Sequence, residues 1–122
     1  MATTQVDEDW GEEIALYILN DSQLYRTGTT AFIMNYARKK VKGTYDRTLA
    51  IKGLEILVKR GMEKYARDFR IPWKQMLNQI NVPTRRYAAK EILNHITDEI
   101  NEKTKQMRAL KKAGKPWTMQ GR

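Results

Sequence analysis

Apolar residues recur along this chain at steps of three and four almost from end to end, the spacing that places them on one face of a helix. No stretch alternates strictly with β-branched enrichment, and no Asn-Gly or Asp-Gly hairpin signal is present. A first helix is predicted from about Asp9 to Leu19, with acids in its opening turn complementing the helix dipole and Trp10, Ile14, Tyr17 and Ile18 sharing a face. Asn20-Asp21-Ser22 is a stop followed by a fresh cap. A second helix carries Leu24 and Tyr25, pauses near Thr27-Gly28-Thr29, continues through Phe32, Ile33, Tyr36, Ala37 and Val41, and closes at Gly43 as C-cap.

Asp46 is the predicted N-cap of a third, longer helix whose apolar stripe is Ala50, Leu54, Leu57, Val58, Gly61, Met62, Tyr65 and Phe69. Gly61 on that stripe costs helix propensity, which marks it as a close helix crossing. Arg70-Ile71-Pro72 ends the helix, because the residue before proline is pushed out of the α region. Pro72 then opens a short helix through Trp73, Met76, Leu77 and Ile80. After Asn81-Val82, Pro83 or Thr84 opens a fifth helix with the stripe Ala88, Ala89, Ile92, Leu93, Ile96, Ile100 and Met107, reaching Leu110 or beyond and ending at Ala113-Gly114. Up to about 30 residues of helix span about 45 Å, longer than a globule of this size is wide, so its end is expected to project.

The expected fold class is therefore all-α: a single compact, bundle-like domain of about five helices with a long C-terminal helix and a basic tail. Its expected divisions are an acidic N-terminal arm at 1–8, a helical domain at 9–104 and a basic tail at 105–122. Composition agrees with one domain: 122 residues, 41% hydrophobic and 30% charged, with 7 Gly and 3 Pro. There is no internal repeat and no low-complexity tract. The longest purely apolar run, Ile14 to Leu19, is far short of the ~18 residues of a membrane span, and the acidic N-terminus lacks a signal-peptide layout. A soluble protein of the cytoplasm, or of a virion if phage-encoded, is expected.

Charge adds the first functional hint. The net charge is +9, yet residues 1 to 22 hold six acids (Asp7, Glu8, Asp9, Glu12, Glu13, Asp21) and no base, so −6 there leaves +15 for the rest. The acidic arm either neutralises the body's own surface or leaves a basic surface for a polyanion, where each phosphate contact releases counterions.

Catalytic chemistry has little raw material. Zero Cys excludes a thiol nucleophile and Cys-zinc sites, and a single His limits acid–base and metal constellations. Glu91, His95 and Glu99 are spaced to line one helix face, but one helix cannot close a coordination shell, and a solvated charged face accounts for them. The glycines are scattered, with no phosphate loop. The expectation is a protein that is not an enzyme, with no cofactor and no metal.

Basic clusters carry the remaining signal. Arg38, Lys39, Lys40 and Lys42 end the second helix, and four cations in five residues exceed what capping requires. Arg85-Arg86 and Lys111-Lys112 add further cationic patches, and Trp117 lies in the basic tail with no apolar stripe to join, as a stacking or docking anchor would. Residues 73 to 96 read as a short helix, a tight turn and a helix opening with Thr84, Arg85 and Arg86. This looks like a generic helix-turn-helix unit, and that resemblance implies that Thr84, Arg85, Arg86 and Lys90 face nucleic acid while Lys74 and Gln75 face phosphates. Asn81 stands where glycine is usual, Pro83 stiffens the turn, and Tyr87 and Lys90 fall where apolar residues are expected. The other reading of 73 to 80 is a linker helix packing Trp73 and Leu77 on the core.

Asn20-Asp21 through Leu24-Tyr25, Gly43-Thr44-Tyr45-Asp46, Leu49-Ala50-Ile51-Lys52 and Lys64-Tyr65-Ala66 together resemble small helical proteins encoded by bacteriophages, over roughly residues 14 to 100. The resemblance implies a phage or phage-like source and supplies no activity and no site residues. The expected function is binding of nucleic acid, DNA or RNA, or of a nucleic-acid-associated assembly, through Lys39, Lys40, Lys42, Arg85, Arg86, Lys111 and Lys112 with Trp117 supporting. The alternative is a protein-interaction module, a virion or assembly component using the acidic arm and basic tail, with head-to-tail homo-oligomers as one form.

Overall fold

Asp21, Asp46 and Asn81 each accept a backbone N–H three residues on, from Leu24 at 2.9 Å, Leu49 at 3.0 Å and Thr84 at 3.0 Å, and so start three of the helical segments. In a computed structural model the described residues, 5–118, form α1 (Gln5–Asn20), α2 (Ser22–Leu24), a π-helical turn (Tyr25–Thr29), α3 (Thr30–Lys42), α4 (Arg47–Asp68), α5 (Trp73–Gln79) and α6 (Val82–Lys112), and no strand. Helical backbone is continuous from α2 into α3, so the all-α architecture of about five helices holds. No helix among the described residues is long and apolar enough to cross a membrane.

The capping reading holds at several joints. Gly43 closes α3 in the left-handed conformation at φ 74°, with Thr44 N–H returning to Lys39 O at 2.8 Å. α4 stops at Asp68, and Arg70 takes the left-handed role at φ 55°, the one non-glycine among the described residues to do so, while Ile71 N–H returns to Ala66 O. The pause expected at Thr27-Gly28-Thr29 is the π turn. A β-carbon on Gly28 would lie 2.5 Å from Leu57 Cδ1, so the widened turn and the missing side chain together admit Leu57.

α2 and α3 lie antiparallel to α4. Tyr36 hydroxyl donates to Ala50 O at 2.7 Å, Arg60 donates to Thr27 Oγ1 at 3.1 Å, and Lys64 reaches Asp21 at 2.7 Å, a register that runs in opposite directions along the two elements. α1 joins α4 through Gly61, where a β-carbon would stand 2.3 Å from Ile18 Cγ1, which is the close crossing its place on the stripe predicts. α6 packs against α1, α3 and α4 together and is the central strut of the fold. Its whole predicted stripe, Ala88 to Met107, is buried. Burying one such Ile or Leu stabilises by roughly 1.5–3 kcal/mol, which is why a single helix can hold three others.

Tyr25 donates to Glu99 and Lys40 to Asn101, two neighbouring levels of α6. About 22 Å of helix separates Tyr25 from Lys40 at ~1.5 Å per residue, so the α2–α3 rod crosses α6 steeply.

Several expectations are corrected. α1 begins at Gln5, not Asp9, because Asp7 and Glu8 already serve as its first-turn acids and Gln5 bonds Asp9 one turn on; Gln5 to Glu8 are helix, and residues 1–4 lie outside the described residues. Phe69, placed on the core stripe, is 59% exposed, because α4 ends before it. In α5 the core is met by Met76 and Ile80, while Trp73 stays 36% exposed. At the other end, residues 105–112 are the last turns of α6, with Met107 fully buried, so the tail proper starts at Ala113.

Candidate functional site

Residues 22–45 carry Arg26, Arg38, Lys39, Lys40 and Lys42 and no acid, and residues 103–118 carry Lys103, Lys105, Arg108, Lys111, Lys112 and Lys115 and no acid. The fold brings these two acid-free segments together. Arg38 donates to the carbonyl of Thr118 at 3.1 Å, which joins them, and Lys40 Nζ donates to Asn101 Oδ1 at 3.0 Å, two residues before the second segment and beside Glu102. Gly114, left-handed at φ 72°, turns the chain after α6, and Lys115 N–H returns to Leu110 O at 3.0 Å, so residues 113–118 fold back along the bundle.

Within this basic pole the cations have neutral partners. Lys40 Nζ lies 4.9 Å from the centre of the Tyr45 ring and Lys111 Nζ 5.4 Å from that of Trp117. The ion pairs of the described residues are Lys64 with Asp21 and with Asp68, and Arg86 with Glu55, and none involves the basic pole. Lys42, Lys111 and Lys112 are exposed and Lys39 half-buried, while Trp117 is half-buried with one ring face carrying Lys111. Lys39 to Lys42 also occupy the C-terminal turn of α3, where cations complement the helix dipole.

Arg85 and Arg86 stand elsewhere. From Arg86 to Lys111 is about 38 Å of straight helix at ~1.5 Å per residue, with Lys40 meeting α6 between them at Asn101, so the seven basic residues singled out in the sequence do not form one compact cluster. The surroundings differ as well: Arg86 Nε lies 3.7 Å from Glu55, and Tyr87 packs on Gly11 with its hydroxyl donating to Glu12 at 3.4 Å. Burial, and then the charges of Glu91, Glu12 and Glu8, raise the Tyr87 phenol above its ordinary pKa, a sign of how acidic this neighbourhood is. Thr84, expected to face nucleic acid, is fully buried and donates its hydroxyl to the Asn81 cap at 2.8 Å; Lys74, Gln75 and Lys90 are exposed. Asn81, where a helix-turn-helix has glycine, is there as the N-cap of α6.

Glu91, His95 and Glu99 do share a helix, but Glu99 is engaged by the Tyr25 hydroxyl at 2.6 Å, and no group of three potential ligands among the described residues is placed to hold a metal. That carboxylate, with burial second, pushes the Tyr25 phenol up to about 12.

The sequence reading missed a second feature. Tyr65 sits at the centre of an aromatic cluster, with Phe69 at 4.4 Å, Tyr17 at 5.1 Å and Trp10 at 6.2 Å between ring centres. The cluster floors an open groove along the α1–α4 seam beside the acids of α1. The spacing of Trp10 and Tyr17 was legible, but their default reading as core concealed that the cluster is only half covered. No protein-family profile, curated relative or solved structure matches this chain.

Proposed function

We propose that the protein binds nucleic acid through its basic pole, with Lys39, Lys40, Lys42, Lys111 and Lys112 neutralising phosphates and Trp117 as an aromatic anchor. The observation that carries this reading is the contact of Arg38 in one acid-free segment, 22–45, with Thr118 in the other, 103–118, which brings the cationic end of α3 and the turn after α6 to one side of the molecule. Cations without carboxylate partners keep their full charge for an external anion, and each phosphate contact they make releases counterions. Arg85 and Arg86 are left out of this contact set because of their distance and the acids beside them. Binding by this pole reads charge and shape more than base sequence. The test is fluorescence anisotropy of labelled duplex DNA, single-stranded DNA and RNA at two salt concentrations. Charge reversal at Lys39 and Lys42 should weaken binding and flatten the salt slope, whereas the same change at Arg85 and Arg86 should leave both near wild type.

A protein-interaction role is the second reading, favoured by one observation: the half-covered aromatic groove at the acidic pole.

A further inference from the structure

We propose that the groove along the α1–α4 seam is a docking site for the cationic C-terminal end of a second copy of this chain. Two hollows of about 230 and 460 Å³ share Glu13 and Tyr65 and so form one continuous groove. Its walls are apolar and exposed, with Val6 at 65% and Phe69 at 59%, and its floor is the Tyr65 ring with Trp10 edge-on. Asp9 and Glu13 line it with carboxylates. Aromatic faces beside carboxylates are the chemistry that recognises lysine and arginine side chains, by cation–π attraction and ion pairing, on an apolar surface worth covering.

The occupant follows from charge and distance. The acid-free end of α6 offers Lys111, Lys112 and Lys115, and Trp117 beside them offers a large aromatic anchor. The chain's own Lys111 cannot reach its own groove: Gly11, on the α1 wall, packs against Tyr87, and about 36 Å of α6 separates Tyr87 from Lys111 at ~1.5 Å per residue. The fold thus sets an acidic aromatic receptor on the α1–α4 seam far from the basic aromatic ligand at the C-terminal end of α6. Two unlike surfaces fixed this far apart on one chain make a heterologous contact, which propagates head to tail or closes a ring. The same lysines serve the nucleic-acid reading, so a polyanion competes with this contact, but the contact itself does not depend on that reading.

Sedimentation velocity on the full chain, freed of nucleic acid and at low salt, tests it. Wild type should grow beyond a dimer as concentration rises. The pairs Asp9→Lys with Glu13→Lys, and Lys111→Glu with Lys112→Glu, change exposed side chains only and should each give monomers. Mixed one to one, the intact end of one variant matches the intact groove of the other and the reversed end matches the reversed groove, so association should return in the mixture. Phe69→Ala, which leaves every charge in place, should weaken self-association about tenfold. A wild type that stays monomeric up to about 1 mM, the weak end of specific association, would overturn the proposal, and so would variants that fail to complement or a Phe69→Ala chain that associates like wild type. A monomer that still binds nucleic acid would overturn this contact alone and leave the proposed function standing.

Discussion

The α1–α4 side of the molecule and its basic pole use charge on opposite principles. Along α1 and α4 charged groups are locked to one another: Lys64 is shared between Asp21 at 2.7 Å and Asp68 at 3.4 Å, Tyr17 donates its hydroxyl to Asp68, and Glu55 faces Arg86 at the start of α6. Hydrogen bonds from Lys64 and Leu24 hold the Asp21 carboxyl below the usual carboxylate range, and the Tyr17 hydroxyl and Lys64 do the same for Asp68. At the other pole Arg38, Lys40 and Lys111 rest on a carbonyl, an amide and aromatic faces, and Lys39, Lys42 and Lys112 beside them are in none of the ion pairs of the described residues. The same residue types therefore serve structure at one pole and stand available to a partner at the other. The difference teaches that net charge alone is a poor guide, since what matters is which cations the fold has already engaged.

Substitutions can break that contrast. The largest effect on stability should come from the α1–α4 seam, where Gly61→Val drives a branched side chain into Ile18. Overpacking of this kind costs typically 1–3 kcal/mol, and the buried Ile18 has little room to yield, so about 3 kcal/mol is expected by urea unfolding. Next, reversing Lys39, Lys42, Lys111 and Lys112 together to Glu should lower nucleic-acid affinity at least about 100-fold and flatten the log–log salt slope by about 3, since each phosphate a lysine neutralises adds roughly one unit to that slope. Thermal stability should fall only modestly in that variant: the four are in no ion pair of the described residues, but they sit in the last turns of α3 and α6, where each cation contributes about 0.3–1 kcal/mol. A large fall in melting temperature would show that these lysines hold the fold.

Much of the fold was legible because local rules agree with the tertiary answer. Asp46 and Asn81 carry the side-chain oxygen an N-cap needs, Gly43 the freedom a C-cap needs, and the α6 stripe keeps helical period from Ala88 to Met107. Where periodicity failed, a neighbour decided. Phe69 continues the α4 stripe in sequence, but Arg70 turns the chain first and leaves the ring stacked on Tyr65 at the surface. Thr84 looks like a reading-head residue, yet its hydroxyl completes a cap and its side chain is buried. The basic clusters were visible residue by residue. That Lys40 meets α6 at Asn101 and Arg38 meets Thr118 beyond its end, while Arg86 faces Glu55, is set by long-range contacts no local pattern encodes.

Smaller effects sharpen the comparison through pH. Asp21 and Asp68 have depressed folded-state pKa values, so the stability they contribute is present above about pH 4, the unfolded carboxyl range, and declines as pH falls through their lower folded values. Lys64→Met should therefore destabilise at neutral pH and lose its effect on acidification, measured as the difference in melting temperature between the two proteins at each pH. Tyr25 works in the opposite direction: its phenol, pushed up to about 12, contributes stability below its ordinary value near 10 that is lost between pH 10 and 12. Tyr25→Phe should flatten that alkaline loss, the smallest of these effects, seen by absorbance titration of the folded protein.

Under the proposed function, nucleic acid is bound by the cationic end of α3 together with the last turn of α6. Anisotropy of a labelled duplex, followed from low to near-physiological salt, compares wild type with the Lys39/Lys42/Lys111/Lys112 reversal and with the Arg85/Arg86 reversal. A steep wild-type salt slope that collapses in the first variant and persists in the second is the expected result. Equal loss in both variants, or wild-type binding weaker than about 100 μM at near-physiological salt, below even typical non-specific affinity, would contradict it.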